Sequence, residues 1–206
     1  TEVILKSIKN YGLKDSLKLF RGMFSFAYFD KKDKKIYIVR DKYGMKPLYY
    51  TSNLKYGFIF SSEIKPINSF INQVELDRNQ LVLSSFLGLH SYPFTNFKNI
   101  YEVKPGEIIT YDLERDKILS KDYFTLNEFI DKDYYNYLNS LNEQNILVEY
   151  DKHFSNAVKM HLVSDAPTSI AYSAGLDSSL VTRYAHEHDS DTVSYTHLTL
   201  TTKAYV

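Results

Sequence analysis

The spacing of hydrophobic and polar positions changes along the chain, and its first part is typical of helices. The opening run, TEVILKSIKNYG, carries apolar residues at helical spacing, with Thr1 and Glu2 as a predicted cap and Gly12 as a predicted stop. A second short helix, DSLKLF, is predicted directly after it. Further along, NQLVLSSFLG shows the same kind of spacing and predicts another helix.

Between these helices the period shortens, which indicates strands. Aromatic and β-branched residues dominate four runs: FSFAYFD, KIYIVRD, PLYYTS and FIFSSE. Polar, turn-like intervals separate the runs, so we predict consecutive antiparallel strands of one meander. We expect Arg40 and Asp41 to stabilise a turn at Tyr43 and Gly44 by hydrogen bonds, and we assign them no catalysis. Later, GEIITYDLERDKILSKDYF predicts a hairpin opened by Pro105 and Gly106.

The second part of the chain has a different organisation. Residues 125–145 are polar and rich in Asn, Asp and Tyr, so we interpret them as a linker with some helix. An amphipathic helix is predicted from Ile146 to Leu162, followed by SDAP, where Pro167 disfavours further helix. The run TSIAYS then predicts a strand and SSLVTRYAHEH a helix. A strand, a tight loop and a helix are the start of an α/β nucleotide-binding unit.

Composition and charge exclude several classes of function. The 206 residues include 25 basic and 25 acidic side chains, which argues against a nucleic-acid partner because phosphate binding needs a basic face. There is no cysteine, so the chain has no disulfide, thiolate metal site or thiol nucleophile. No run approaches the ~18 apolar residues of a membrane span, and no signal peptide is visible. We therefore expect a cytoplasmic protein without a membrane partner.

The loop of the second part carries the candidate chemistry. In SAGLDSS, residues 173–179, small residues leave room for an anion beside backbone N–H groups and the positive end of a helix. Gly175 can adopt a positive φ without steric cost. The serine hydroxyls can donate hydrogen bonds, and Asp177 can hold Mg²⁺ on phosphate oxygens. An ordinary helix N-terminus, capped by Asp177 or Ser178, uses the same residue types, so the spacing alone leaves both interpretations open.

The run SDAPTSIAYSAGLDSS resembles the ATP loop of glutamine-dependent asparagine synthetases, where S-D-x-P is followed by S-G-G-L-D-S-S. Here Ala174 replaces the first glycine, and an alanine is accommodated there if its φ is negative. The resemblance implies an adenine contact at Ala171, a pyrophosphate cradle from Ser173 to Ser179, and Mg²⁺ at Asp177. The implied ATP-binding residues are Ala171, Ser173, Ala174, Gly175, Leu176, Asp177, Ser178 and Ser179.

Upstream, four runs resemble in order the second half of the glutaminase domain of the same family: TEVIL, LFRGMFSFAYFD, RDKYGMKPLYY and FSSEIKPI. The resemblance implies an α+β fold, with incomplete antiparallel sheet layers of the N-terminal-nucleophile glutaminase type. The start of an α/β ATP pyrophosphatase domain, of the adenine nucleotide α-hydrolase type, then follows. The implied parts are a partial glutaminase domain at 1–124, a linker at 125–145 and a partial ATP-binding domain at 146–206. A homodimer is a further expectation.

What the chain lacks limits the expected activity. The family's nucleophile is a cysteine after the initiator Met, and none is present, so we assign no catalytic residue and expect no glutamine hydrolysis by this chain alone. Residues 197–206 match nothing expected of the family, and we interpret them as foreign sequence, with an edge strand as the structural alternative. The implied parent enzyme uses glutamine, aspartate, ATP and Mg²⁺. Alternatives are a related amidotransferase acting on another carboxylate or a sugar in surface-polysaccharide biosynthesis, and a non-catalytic nucleotide-binding module.

Overall fold

The computed structural model describes residues 1–53, 56–72, 75–88, 91–189 and 193–195, and the chain divides into two units, Thr1–Ile130 and Asp131–Val206. The division falls inside the predicted linker. The helices are α1 (Glu2–Leu19), α2 (Ile64–Ile71), α3 (Arg78–Leu87), α4 (Lys132–Ser140), α5 (Glu143–His161) and α6 (Leu176–His188), with a 3-10 helix at Leu126–Phe129. The strands are β1 (Ser25–Asp30), β2 (Lys35–Arg40), β3 (Tyr49–Asn53), β4 (Gly57–Ser61), β5 (Tyr101–Glu102), β6 (Glu107–Asp112), β7 (Lys117–Asp122), β8 (Ser169–Ala171) and β9 (Val193–Tyr195). None of the helices described in these ranges has the length and apolarity needed to cross a membrane.

Helix α1 contains the two predicted helical segments, and Gly12 breaks it as predicted. Gly12 has φ 76° and ψ 165°, a left-handed backbone that interrupts the helix. The Ser16 hydroxyl donates to the Gly12 carbonyl at 2.7 Å at the start of the second segment. Thr1 occupies the N-cap position, but its side chain makes no capping hydrogen bond. Glu2 instead pairs with Lys6 at 2.7 Å, so the first turn begins without the predicted side-chain cap.

The prediction of one meander is wrong, because the first four strands belong to two sheets. One sheet has the order β1-β2-β6-β7, and the other has the order β4-β3-β5. The hairpins β1–β2, β3–β4 and β6–β7 are all antiparallel, so each local pairing was predicted correctly. The second neighbour of β2 is β6, from the later hairpin. Alternation along β2 and β3 predicts two strands but carries no information on which sheet each joins.

The two sheets share a hydrophobic core, and α1 covers the other face of the first sheet. The shared core is formed by Ile38, Leu48, Tyr50, Val103 and Ile109. On the opposite face of β2 and β6, Val39 and Ile108 pack with Leu17 of α1. Because side chains alternate along a strand, neighbouring residues of β2 serve the two cores in turn. Helix, sheet and sheet are thus stacked in successive layers.

The turn between β2 and β3 is held by two buried charged side chains, as predicted. Asp41 is 1% exposed, and its carboxylate accepts hydrogen bonds from four backbone N–H groups, on Phe24, Tyr43, Met45 and Lys46. Arg40 is 4% exposed and donates to the carbonyls of Lys46, Gly44 and Val103 and to the Glu102 carboxylate at 2.6 Å. At Gly44, φ is 66°, and a Cβ would lie 2.8 Å from Pro105 Cγ. This turn carries the chain from one sheet to the other.

Candidate functional site

The loop at residues 172–175 connects β8 to α6, which confirms the predicted strand, tight loop and helix. Strand β9 pairs with β8 in parallel, with Ser169 opposite Val193 and Ala171 opposite Tyr195. The run DTVSYT therefore contains a second strand of the same sheet. Two parallel strands joined through a helix form a βαβ unit, which places the loop at the carboxyl end of β8.

Helix α6 is anchored behind the loop by contacts with α5. Val158 of α5 packs with Tyr184 and Ala185 of α6 in a buried cluster. The Tyr184 hydroxyl donates to the carboxylate of Asp151, and this hydrogen bond holds the pKa of Tyr184 above its usual value. Packing near the C-terminal end of α6 therefore holds the helix against α5. Because the helix is a rigid element, this packing also positions its N-terminal turn and the loop before it.

The first turn of α6 has no side-chain cap, contrary to the alternative in which Asp177 or Ser178 caps it. Gly175 occupies the N-cap position, with φ −81° and ψ 167°, and it has no side chain to accept a hydrogen bond. The first N–H groups of a helix have no partner inside the helix. The N–H groups of Leu176 and Asp177 lie at the positive end of α6, and neither has an acceptor among the described residues. Such a terminus favours an anion.

The serine hydroxyls of the loop bind protein acceptors. Ser178 and Ser179 donate to the Gly175 carbonyl at 3.1 and 2.8 Å. Because Ser178 has only one proton, Ser173 is the donor in the hydrogen bond of 3.0 Å between the Ser173 and Ser178 hydroxyls. The three hydroxyls must rotate before they can donate to a phosphate, whereas the backbone N–H groups at the start of α6 need no rearrangement.

Backbone strain in the loop falls on Ala174 and not on Gly175. The sequence indicated that Gly175 can adopt a positive φ and that an alanine at 174 is accommodated if its φ is negative. The structure gives Ala174 a φ of 60° and Gly175 a φ of −81°, so Gly175 does not use that freedom and Ala174 does not meet the condition of a negative φ. A left-handed alanine costs roughly 1 to 2 kcal/mol, because its Cβ crowds the following carbonyl. Position 174 is thus where a glycine suits the loop best, in agreement with the S-G-G pattern that the loop resembles.

Replacing Ala174 by glycine is expected to stabilise the second unit by about 0.5 to 1 kcal/mol. Relief of the left-handed strain, roughly 1 to 2 kcal/mol, is offset by the larger entropy of an unfolded glycine, roughly 0.4 to 1 kcal/mol. Hydrogen exchange of the α6 amides measures the change. Ala171→Gly, on β8, is the matched control and should destabilise by about 0.5 to 1 kcal/mol. A loss of protection in Ala174→Gly equal to that in the control would contradict the assigned strain.

Asp177 is the one carboxylate of residues 173–179, and it lies in the exposed first turn of α6. Among the described residues, no group of three or more His, Cys, Asp or Glu side chains is placed to hold a metal ion. Mg²⁺ commonly takes one or two protein carboxylates and completes its shell with phosphate oxygens and water. The residues present therefore fit Mg²⁺ when it arrives with a phosphate ligand, and not as an isolated metal site.

The remaining predicted site residues lie on either side of the loop. Ala171 ends β8 and is exposed, and Leu176, the first residue of α6, is 78% exposed. Sequence reasoning missed Tyr172, whose hydroxyl lies 3.5 Å from the Ser179 hydroxyl. No spacing rule indicated that contact, because it depends on the direction in which the loop leaves β8.

Comparison with known proteins gives two family matches, one within each of the two units. Residues 1–124 match the glutamine amidotransferase domain, and residues 149–204 match the asparagine synthase family. The second match includes the whole loop. It also ends within 197–206, the segment interpreted as foreign sequence, which lies outside the described residues.

Three curated relatives resemble most of the chain. A putative glutamine-hydrolysing asparagine synthetase 2 of Methanocaldococcus jannaschii is 35% identical over 184 residues, covering 88% of this chain and 34% of the relative. Asparagine synthetase 1 of Bacillus subtilis is 32% identical over 188 residues, with coverages of 91% and 28%. The amidase chyE of Penicillium rubens is 33% identical over 181 residues, with coverages of 87% and 25%. The chain thus spans about a third or less of the length of these proteins.

Proposed function

The chain belongs to the family of the glutamine-hydrolysing asparagine synthetases, and from this premise we propose that it forms part of an ATP-dependent enzyme that amidates aspartate. In this proposal residues 1–124 belong to the glutaminase domain, 125–145 to a linker and 146–206 to the ATP-binding domain. The parent enzyme is cytoplasmic and homodimeric, and glutamine is its source of ammonia. The observation that carries the proposal is the uncapped start of α6, at residues 175–177, within the asparagine synthase match.

The chemistry follows from the low reactivity of a carboxylate. Ammonia does not displace oxide from aspartate, so the β-carboxylate first attacks the α-phosphorus of ATP and expels pyrophosphate. Ammonia then attacks the carbonyl of the aspartyl-AMP, the bond to AMP breaks, and asparagine is released. The amides at Leu176 and Asp177 hold the departing pyrophosphate at the positive end of α6. Asp177 holds Mg²⁺, which neutralises charge on the phosphate oxygens when it is bound.

Mg·ATP is expected to bind this chain weakly, with a dissociation constant of roughly 1 mM, about 4 kcal/mol. The loop is exposed, so solvent and salt screen its hydrogen bonds to the anion. Gly175→Val should abolish the binding by crowding the anion. The backbone itself tolerates the change, because φ is negative and a Cβ would meet only Ser173 Oγ, at 3.6 Å. Asp177→Asn should remove the Mg²⁺-dependent part of the affinity, about threefold to tenfold. Calorimetric titration, with and without Mg²⁺, measures each effect.

The matched control for Asp177 is Asp133, which occupies the same second helical position in α4. Asp133→Asn removes an equivalent charge from a first turn and should leave Mg·ATP binding unchanged. If Gly175→Val and Asp177→Asn bind Mg·ATP as the parent chain does, the loop is only a helix start and the proposal fails.

The resemblance to the amidase chyE supports a second candidate, an amidotransferase with the same architecture and another acceptor. Exchange of labelled pyrophosphate into ATP by the full-length enzyme distinguishes the two. Dependence of that exchange on aspartate supports the asparagine synthetase, and dependence on another carboxylate supports the related amidotransferase. A non-catalytic nucleotide-binding module would bind Mg·ATP without any acceptor-dependent exchange.

A further inference from the structure

A cavity of about 370 Å³ lies in the first unit, between α1 and the face of the β1-β2-β6-β7 sheet that α1 covers. Its floor includes one cross-strand row, in which Tyr28 is opposite Tyr37 and Tyr37 is opposite Thr110. The two tyrosine rings stack, with centroids 6.1 Å apart and an angle of 26° between their planes. The floor thus offers a flat aromatic surface, which favours another ring by stacking.

Helix α1 forms one wall of the cavity, which is partly open to solvent. Ile8 and Leu13 contribute apolar side chains from the two sides of the helix break. Gly12, at the break itself, contributes only backbone, and outside its chain neighbours and the adjacent helix backbone no atom lies within 4 Å of the position that its Cβ would take. The break therefore leaves a space that a regular amphipathic helix would fill with a side chain. The volume lies near the lower end of ligand pockets, about 300 to 1,000 Å³, and accommodates one ring with a short substituent.

The polar groups that line the cavity are mainly donors. Lys14 and Lys121 both line it, and neither has an ion-pair partner within 4 Å in the described part of the chain. Across the same described residues, the hydroxyls of Tyr28, Tyr37 and Thr110 have no hydrogen-bond partner in the protein. The neighbouring Tyr123 hydroxyl differs, because it donates to the Arg40 carbonyl at 2.9 Å.

Asp30 is the acidic residue that lines the cavity, and part of its carboxylate is already used. One of its oxygens accepts hydrogen bonds from the N–H groups of Lys32 and Asp33, at 2.9 and 3.2 Å. Two ammonium groups and one carboxylate leave a net charge of +1 on the lining. A ligand that matches this charge carries one negative charge and accepts hydrogen bonds.

We propose that this cavity binds a small molecule with one aromatic ring and a single carboxylate on a short substituent. The ring stacks against Tyr28 and Tyr37, and the carboxylate accepts hydrogen bonds from the lysine ammonium groups and from the unpaired hydroxyls. A doubly charged phosphate matches the lining less well, because the net charge is +1. The site lies in the first unit and shares no residue with the loop at 171–179.

The probes are 3-phenylpropionate and its uncharged amide, 3-phenylpropanamide, which differ only in the terminal group. We expect the acid to bind the full chain about tenfold more tightly than the amide, and added salt to weaken the acid alone. Lys121→Gln should weaken binding of the acid about fivefold. Lys117→Gln is the matched control, because Lys117 is exposed on the same strand and does not line the cavity. Both variants change exposed side chains, so folding is preserved.

Nuclear magnetic resonance shifts locate the bound acid, and we expect the largest shifts at Tyr28, Tyr37 and Thr110. Equal affinity for the acid and the amide overturns the proposal, as do equal affinities of Lys121→Gln and Lys117→Gln for the acid. Largest shifts outside α1, β1, β2, β6 and β7 place the ligand elsewhere and also overturn it. Preference for phenylalanine, which is a zwitterion, over the acid would show that Asp30 takes an ammonium group, contrary to the proposed charge.

Discussion

Arg40→Met is expected to lower the stability of the first unit by about 3 to 5 kcal/mol. Methionine keeps the length of the apolar stem but has no donor. Three backbone carbonyls lose their hydrogen bonds, and the Glu102 carboxylate, whose side chain is 12% exposed, loses its partner at 2.6 Å. A buried charge without a partner costs more than the net value of the intact ion pair. Hydrogen exchange of the β2 and β6 amides measures the loss within this unit.

Two further variants separate the reasons for that loss. Arg115→Met makes the same chemical change at a side chain that is 79% exposed and 4.0 Å from Asp112, so protection should hardly change. Arg40→Lys keeps the charge but loses the planar fork that reaches several acceptors, so it should restore only part of the stability. If Arg40→Met is as stable as Arg115→Met, the buried network does not stabilise the turn.

Asp41→Asn is expected to lower the stability of the same unit by about 2 to 4 kcal/mol, although the side chain keeps its shape. In the carboxylate, Oδ1 accepts from Tyr43 and Met45, at 3.1 and 2.9 Å. Oδ2 accepts from Lys46 and Phe24, at 3.0 and 3.3 Å. An asparagine has one acceptor oxygen, and its NH₂ group would face two N–H donors at the other position. Two backbone N–H groups that donate to this buried carboxylate therefore lose their partner.

Asp77→Asn is the matched control for this substitution. Asp77 caps α3 with one oxygen, which accepts from Asn79 and Gln80 at 3.0 and 3.2 Å. Asparagine is as good a cap as aspartate, so the control should change stability little. The same exchange measurement applies to both variants. An Asp41→Asn protein that exchanges like the control would show that one oxygen suffices at position 41.

The role of Arg40 and Asp41 in the turn was predictable, but their partners were only partly so. The spacing of RDKYGMKP indicated a turn stabilised by these two side chains, and the hydrogen bonds to residues 43–46 agree with that prediction. Glu102 is 62 residues from Arg40, and no local pattern connects them. Its position depends on β5 pairing with β3, which is a long-range contact.

In the candidate loop, too, the local pattern predicted the elements but not the details of the backbone. Residue types and order predicted a strand, a tight loop and a helix, and those elements are present. The pattern did not show which loop residue takes the left-handed backbone, and the structure assigns it to Ala174. A glycine can adopt either sign of φ, so Gly175 by itself left the question open. The path of the chain between β8 and α6 decided it.

Spacing over a few residues was enough to predict the local elements, which are helical runs broken at Gly12, three antiparallel hairpins and a βαβ unit. Long-range packing places β2 and β3 in different sheets and brings Arg40 to Glu102. It also decided that a cavity forms beneath the break in α1. These features arise where segments distant in sequence compete for the same apolar faces and hydrogen-bond partners. The alternation of apolar and polar residues within one strand therefore does not predict which segments pair or pack together.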